Sequence, residues 1–358
     1  MHRPFISTSA ILVATLAAAV GTVLLSSAGQ GGENSTKTVS DNNGDNRGRQ
    51  ANTPESIPAK GLKDVFWRIY EKLFAHRVTL IAAGVAFYLL LSVFPALGAL
   101  VSLYGIVADP ATISDHLRDL SSVLPPGAFE MIEEQIKSIV ERRNSTLGIA
   151  FFLGLGIAIW STHNATLAIF DAMNVAYEEK EKRGLIKLNL VGLCFTICAI
   201  LVATAMVFLV GLMPVILKFL WLDTFKEQTA LFVRWPLMLV VVVVAAATVY
   251  RFGPSREPAK VRWMTWGAGF TAIGWFSMSF GFAFYLNHFA DYSASYGTLG
   301  ALIGFLMWTW LSVVILILGA ALNAELEHQT ERDTTTGTPV PMGVRGAYVA
   351  DTVGKAAD

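Results

Sequence analysis

Apolar residues in this chain come in long runs, not in the alternating or half-and-half patterns of soluble elements. Such runs cover residues 78–103, 147–170, 186–213, 231–250, 263–286 and 298–322, and a further run covers 5–28. A helix rises about 1.5 Å per residue, so each is long enough, or nearly so, to cross a hydrocarbon core about 30 Å thick. The last run is the most informative. No charged residue falls between Thr298 and Leu322. Gly297, Gly300 and Gly304 are spaced by three and four and share one helix face. The Gly300–Gly304 pair is a small-xxx-small contact, which predicts close approach of another helix backbone. Asn323 and Glu325 mark the polar exit.

The stretches between the runs differ in kind. Leu62, Val65, Phe66, Ile69 and Leu73 recur at helical spacing, while Lys63, Arg68, Glu71 and Lys72 take other faces. This pattern predicts an amphipathic helix on the membrane surface. Residues 109–144 read as two short amphipathic helices separated by Pro125-Pro126. Residues 29–61 are rich in Gly, Asn, Ser and Asp and are expected to form a disordered linker. Residues 329–358 are expected to form a flexible cytoplasmic tail. Residues 1–28 have two readings, a retained span or a signal cleaved after Ser26-Ser27-Ala28. The fold class expected is an all-α membrane protein. It comprises six core transmembrane helices in residues 62–328, one N-terminal hydrophobic helix and short amphipathic surface helices.

Composition agrees. The 358 residues are 54% hydrophobic and 15% charged, against about 25% charged in average soluble domains. The net charge of zero gives no argument for a nucleic-acid partner. Cys194 and Cys198 lie inside an apolar run, where neighbouring helical positions make poor disulfides; they read as small core residues.

Several blocks resemble the YihY/BrkB family of bacterial inner-membrane proteins, once labelled ribonuclease BN. They are Tyr296-Gly297-Thr298-Leu299-Gly300, Gly319-Ala320-Ala321-Leu322-Asn323-Ala324, the stretch 83–95, and Tyr250-Arg251-Phe252-Gly253-Pro254 followed by Arg262-Trp263. The resemblance covers roughly 61–329, and Asp333-Thr334-Thr335-Thr336-Gly337 looks like the tail of some members. Where the family has Glu in its exit block, this chain has Ala321. The resemblance implies a multi-pass envelope protein of the inner membrane that moves lipids or other amphiphiles. The rival reading is a structural envelope-integrity scaffold, and a third is a membrane-associated ribonuclease that processes tRNA. Membrane lipids are the expected partners, with a homo-oligomer or other envelope proteins as alternatives.

Residue chemistry gives the ribonuclease reading no support. His2, His76, His116, His163, His288 and His328 form no His-x-His or His-Glu-x-x-His pattern, and no phosphate loop is present. No catalytic residue, metal site or cofactor is expected. Lys and Arg in the loops around 180–187 and 251–262, and before the second run, place those segments and the C-terminus in the cytoplasm. That orientation gathers Ser161, His163, Asn164, Asp171, Asn174, Asn189, Arg251, Asn323 and Glu325 at one membrane face. They are the candidate lining of a polar cavity, with Arg251 available to a phosphate headgroup; pairing of helix ends with one another is the alternative. Parity then predicts that residues 5–28 are a retained span with Met1 outside. Cysteine labelling at Ser7 from outside, with Asn43 protected in intact cells, is the expected result.

Overall fold

A computed structural model describes residues 46–107, 146–207, 224–288 and 299–357. The N-terminal apolar run, the two amphipathic helices expected within 109–144, and Gly297 lie outside these residues. The described helices are α1 (Ala59–Ala75), α2 (Val78–Val107), α3 (Thr146–Ala176), α4 (Leu185–Val207), α5 (Thr224–Phe252), α6 (Val261–His288), α7 (Leu299–Glu327) and the single turn α8 (Tyr348–Asp351), with a 3-10 turn at Pro54–Ser56. There is no strand among the described residues; Ala259 and Thr335 form an isolated antiparallel bridge. Helices α2 to α7 are each long and apolar enough to cross a membrane, so the six core spans predicted from run length are present. Pro95 lies inside α2 and Pro236 inside α5 without ending either helix.

Close approach, not bulky side chains, holds the spans together. Helix α2 packs along α3 and α7, α6 joins α7 to α5, and α4 rests mainly on α3. The shared core contains Ala82 of α2, Ala172 and Ala176 of α3, Ala246 of α5, Ala268 of α6, and Ala320 and Ala324 of α7, filled in by Met173, Tyr177, Tyr250 and Ile317. In lipid the apolar surface gains nothing from association, so small residues that maximise backbone contact carry the packing. Large side chains such as Phe152, Leu190, Ile197, Leu201 and Val244 point outward, as lipid-facing positions should.

The tightest crossing is between α6 and α7, and it is not where the sequence placed it. A Cβ on Gly267 would overlap the carbonyl oxygen of Gly319, and a Cβ on Gly319 would overlap the hydroxyls of Thr271 and Tyr250. Gly300 is buried, but around Gly304 the nearest atom to an added Cβ would be Leu286 Cδ1 at 4.0 Å, ordinary van der Waals distance.

Both polar ends of the described chain depart from expectation. Residues 46–58, within the expected disordered linker, and residues 328–357, the expected flexible tail, clasp each other. Gln329 Nε2 donates to Arg47 O at 2.8 Å, and the backbone N–H of Glu331 donates to Arg49 O at 2.8 Å. Thr330 Oγ1 donates to Ala51 O at 2.7 Å, and Arg49 Nη2 to Gly354 O at 2.7 Å. Beyond the clasp, Arg345 donates to the carbonyls of Glu331, Arg332, Val340 and Ala350. Asp351 accepts from the backbone N–H groups of Gly343, Arg345 and Gly346. The physical reason is that these polar side chains saturate backbone groups of the partner segment, so few apolar residues are needed. Ala51 and Ile57 supply the apolar anchor, packed with Val65, Trp263 and Leu326.

Gly267→Leu and Gly319→Leu should each abolish folded protein, because the added atoms meet backbone or fixed hydroxyls and overpacking costs at least about 1–3 kcal/mol. Gly304→Ala should leave detergent-solubilised yield and melting temperature near wild type. Equal damage at all three positions would contradict this packing.

Candidate functional site

Polar chemistry gathers at the end of the bundle where α2, α4 and α6 begin and α3, α5 and α7 finish. The reason is compositional: the spans are apolar along their length and place their charges where they leave the lipid. Helix α1 crosses this end. Arg68 and Lys72, one turn apart, share its inner face. Arg68 Nε donates to Glu325 Oε2 at 2.5 Å, Nη2 to Gln329 Oε1 at 2.9 Å, and Nη1 to Lys355 O at 2.9 Å. Lys72 pairs with both Glu325 of α7 and Glu178 beyond α3. Burial opposes the Lys72 charge, yet the carboxylates of Glu325 and Glu178 outweigh it and hold its pKa above the ordinary value. One buried carboxylate therefore ties α1 to α7, and Lys72 extends the tie to α3.

Two further pairings complete this layer. Arg256 Nη2 donates to Glu327 Oε2 at 2.8 Å, Thr334 Oγ1 donates to the same oxygen at 2.9 Å, and the guanidinium lies 5.0 Å from the Tyr177 ring centroid. Burial raises the Tyr177 pKa. Asn174 Oδ1 accepts from Ser255 N at 2.7 Å, and its Nδ2 donates to Glu181 Oε2 at 3.0 Å. Hydrogen bonds from Arg183 pull Glu181 down to about 2, and Arg183 also donates to the carbonyls of Phe252 and Gly253 at the end of α5.

The predicted cavity residues divide into two groups and four separate positions. Asn174, Asn323 and Glu325 are buried in the layer just described. Asn323 reads the backbone of α6: its Oδ1 accepts from Gly267 N at 2.7 Å and its Nδ2 donates to Met264 O at 3.2 Å. The glycine that admits α7 thus also exposes the amide that Asn323 holds. His163 and Asn189 form the second group, bonded to each other at 3.0 Å between α3 and α4. Thr166 and Thr196 of the same two helices also meet, at 3.1 Å. Gly192 makes room for the imidazole, since a Cβ there would lie 2.9 Å from His163 Cε1. Ser161 is fully buried, and neither its Oγ nor His163 Nδ1 has a hydrogen-bond partner among the described residues. Asn164 is half-buried and Asp171 exposed on α3. Arg251 stands half-buried with its guanidinium 5.6 Å from the Phe252 ring centroid.

The sequence reading missed Arg256, Glu327, Tyr177 and the grip of Arg68 and Lys72 on Glu325. One signal was available: Glu325 and Glu327 end an apolar helix and require cationic partners. Nothing local says which cations supply them. No group of three or more His, Cys, Asp or Glu with the disposition of a metal site occurs among the described residues.

The fold and this site define a multi-pass, all-α integral membrane protein. The Virulence factor BrkB family matches residues 69–341, and the chain belongs to that family. A Bacillus subtilis (strain 168) protein named as ribonuclease-like, YfkH, is 31% identical over 256 residues, covering 69% of this chain and 90% of that protein. A UPF0761 membrane protein of Nitrosospira multiformis is 28% identical over 291 residues, covering 79% of this chain and 66% of that protein. A UPF0761 membrane protein of Chlorobium phaeobacteroides is 25% identical, and the match spans 56% of its length. No solved structure matches the chain.

Glu325→Ala leaves Arg68 and Lys72 facing a buried apolar gap. A loss of about 3–5 kcal/mol is expected, the cost of breaking a buried ion pair from one side, read by denaturant unfolding in detergent. Arg68→Met with Glu325→Leu should cost less than Glu325→Ala alone.

Proposed function

We propose that this protein moves lipids or other amphiphiles in the bacterial inner membrane, with its C-terminus in the cytoplasm. The observation that carries the reading is the polar seam between α3 and α4. Asn189 lies four residues inside the start of α4, about 6 Å along the helix, and its partner His163 lies thirteen residues before the end of α3, so the pair links the headgroup end of α4 to the middle of α3. Asn189 is exposed, toward what would be lipid. A buried polar group without a partner costs about 1–3 kcal/mol, and its retention at His163 Nδ1 fits a site that hydrogen-bonds a passing headgroup. Arg251, at the same end of the bundle, suits an anionic phosphate.

The structural-scaffold reading has its own support. The charged layer of Arg68, Lys72, Glu178, Glu325, Arg256 and Glu327 is internally paired and fixes the helix ends. The ribonuclease-like name of the Bacillus relative has no counterpart in the chemistry of the described residues.

Proteoliposomes carrying fluorescent phospholipid separate the first two readings. Wild-type protein should speed transfer of the probe between leaflets, measured by loss of fluorescence to an external reductant. His163→Leu with Asn189→Leu should abolish the acceleration while insertion and melting temperature persist. Absence of transfer in wild type, for phospholipid and lysolipid alike, would favour the scaffold.

A further inference from the structure

Helix α1 packs Leu62, Val65, Ile69 and Leu73 on the protein and still turns a second apolar face outward. Asp64 and Arg68 are buried against the protein, held by Arg47 and Glu325. Phe66, Trp67, Tyr70 and Phe74 face outward, exposed by 60%, 51%, 58% and 64%. The expected apolar face put Phe66 with Val65 and Ile69; instead Phe66 belongs to this outer stripe. Its rings run on from one to the next, Trp67 to Tyr70 at 6.0 Å and Tyr70 to Phe74 at 5.2 Å. Trp67 Nε1 donates to Glu71 at 2.9 Å. Lys63 falls within the stripe by helical angle, Arg77 follows its end, and both are exposed.

The stripe has a fixed relation to the spans. Only His76 and Arg77 separate α1 from α2, a turn that uses a positive φ of 50° at Arg77. Two residues into α2, Leu80 is 63% exposed, as a lipid-facing position is. The aromatic face therefore starts where the hydrocarbon ends, and from Phe66 to Phe74 it runs roughly 12 Å along α1. Aromatic rings with an apolar body and a polar handle favour this depth. Lys63 before the rings and Arg77 after them place a cation at each end of the stripe, where a negative surface would meet them, while Glu71 between the rings is held by Trp67.

We propose that the outer face of α1 binds the anionic headgroup surface of a bilayer, with the four rings at the headgroup–acyl boundary and Lys63 and Arg77 on lipid phosphates. The opposite face of the same helix carries Arg68 and Lys72, so the lipid surface and the Glu325 clamp act on one rigid rod. The inference stands whether the protein moves lipid or only braces the membrane.

The test uses full-length protein with Cys194→Ser and Cys198→Ser in proteoliposomes of phosphatidylcholine with phosphatidylglycerol. Nitroxides attached at Phe66→Cys and Tyr70→Cys should collide more with oxygen than with a water-soluble nickel complex; a nitroxide at Thr338→Cys in the tail should show the reverse. Nickel access at both ring positions equal to that at Thr338 overturns the proposal. So does dipolar coupling between copies at either ring position, which would make the face a dimer contact. For the cations, bimane at Tyr70→Cys is quenched by brominated phosphatidylglycerol or brominated phosphatidylcholine. The preference for the anionic lipid should fall roughly fivefold for each of Lys63→Gln and Arg77→Gln and persist in Lys63→Arg. An unchanged preference in both Gln variants overturns the proposal.

Discussion

A carboxylate at the end of a membrane helix has to be matched by positive charge before it leaves water, and much of this structure follows from how Glu325 meets that demand. It is fully buried and takes Arg68 and Lys72 from a helix that is not itself a span. Because Lys72 also holds Glu178, the end of α3 is drawn into the same arrangement. Buried ion pairs add little net stability over a well-packed apolar alternative. What they fix here is relative position: α1 across the bundle end, with α7 and α3 beneath it. Arg256 and Glu327 repeat the device two residues further along α7.

Within the membrane a different rule operates. The α6–α7 crossing depends on two glycines and on Asn323 bonding the backbone that Gly267 leaves open. Tyr250 adds a third helix, its hydroxyl meeting Thr271 at 2.5 Å and donating to Leu316 O at 2.8 Å. These hydrogen bonds are individually modest, about 0.6 kcal/mol on average in membrane proteins, and they cluster at the charged end. By contrast α4 meets the rest mainly through the α3 seam, where His163, Asn189, Thr166 and Thr196 lie. Among the described residues the bundle is thus firm around α7 and sparse around α4, a division that suits a fixed frame with one more accessible face.

The spans were legible because a run of apolar residues needs no partner to be recognised; its length against the bilayer is enough. The blocks around Tyr250 and Asn323 were legible as family marks, though not their roles. Asn323 showed only as a polar exit, since the amide it holds lies 56 residues away. The packing glycines were half legible: Gly319 stood in a quoted block, but spacing drew attention to Gly304, and spacing cannot say which face meets a neighbour. The clasp was misread because Arg, Gln and Thr look alike whether they hydrogen-bond water or a backbone segment 279 residues distant. The outward turn of α1 was hidden for the same reason. Arg68 and Lys72 look like surface charges until Glu325 is in view.

The distance in sequence between those partners sets an order of events during synthesis. Arg68 leaves the ribosome 257 residues ahead of Glu325, an interval of roughly 10–50 s at about 5–20 residues per second. Through that interval α1 and α2 must persist without the carboxylate, and the clasp cannot close until the final residues emerge. The charged end therefore closes only after the six spans have been made, and an aromatic helix resting on the bilayer gives the waiting cations a place to stay.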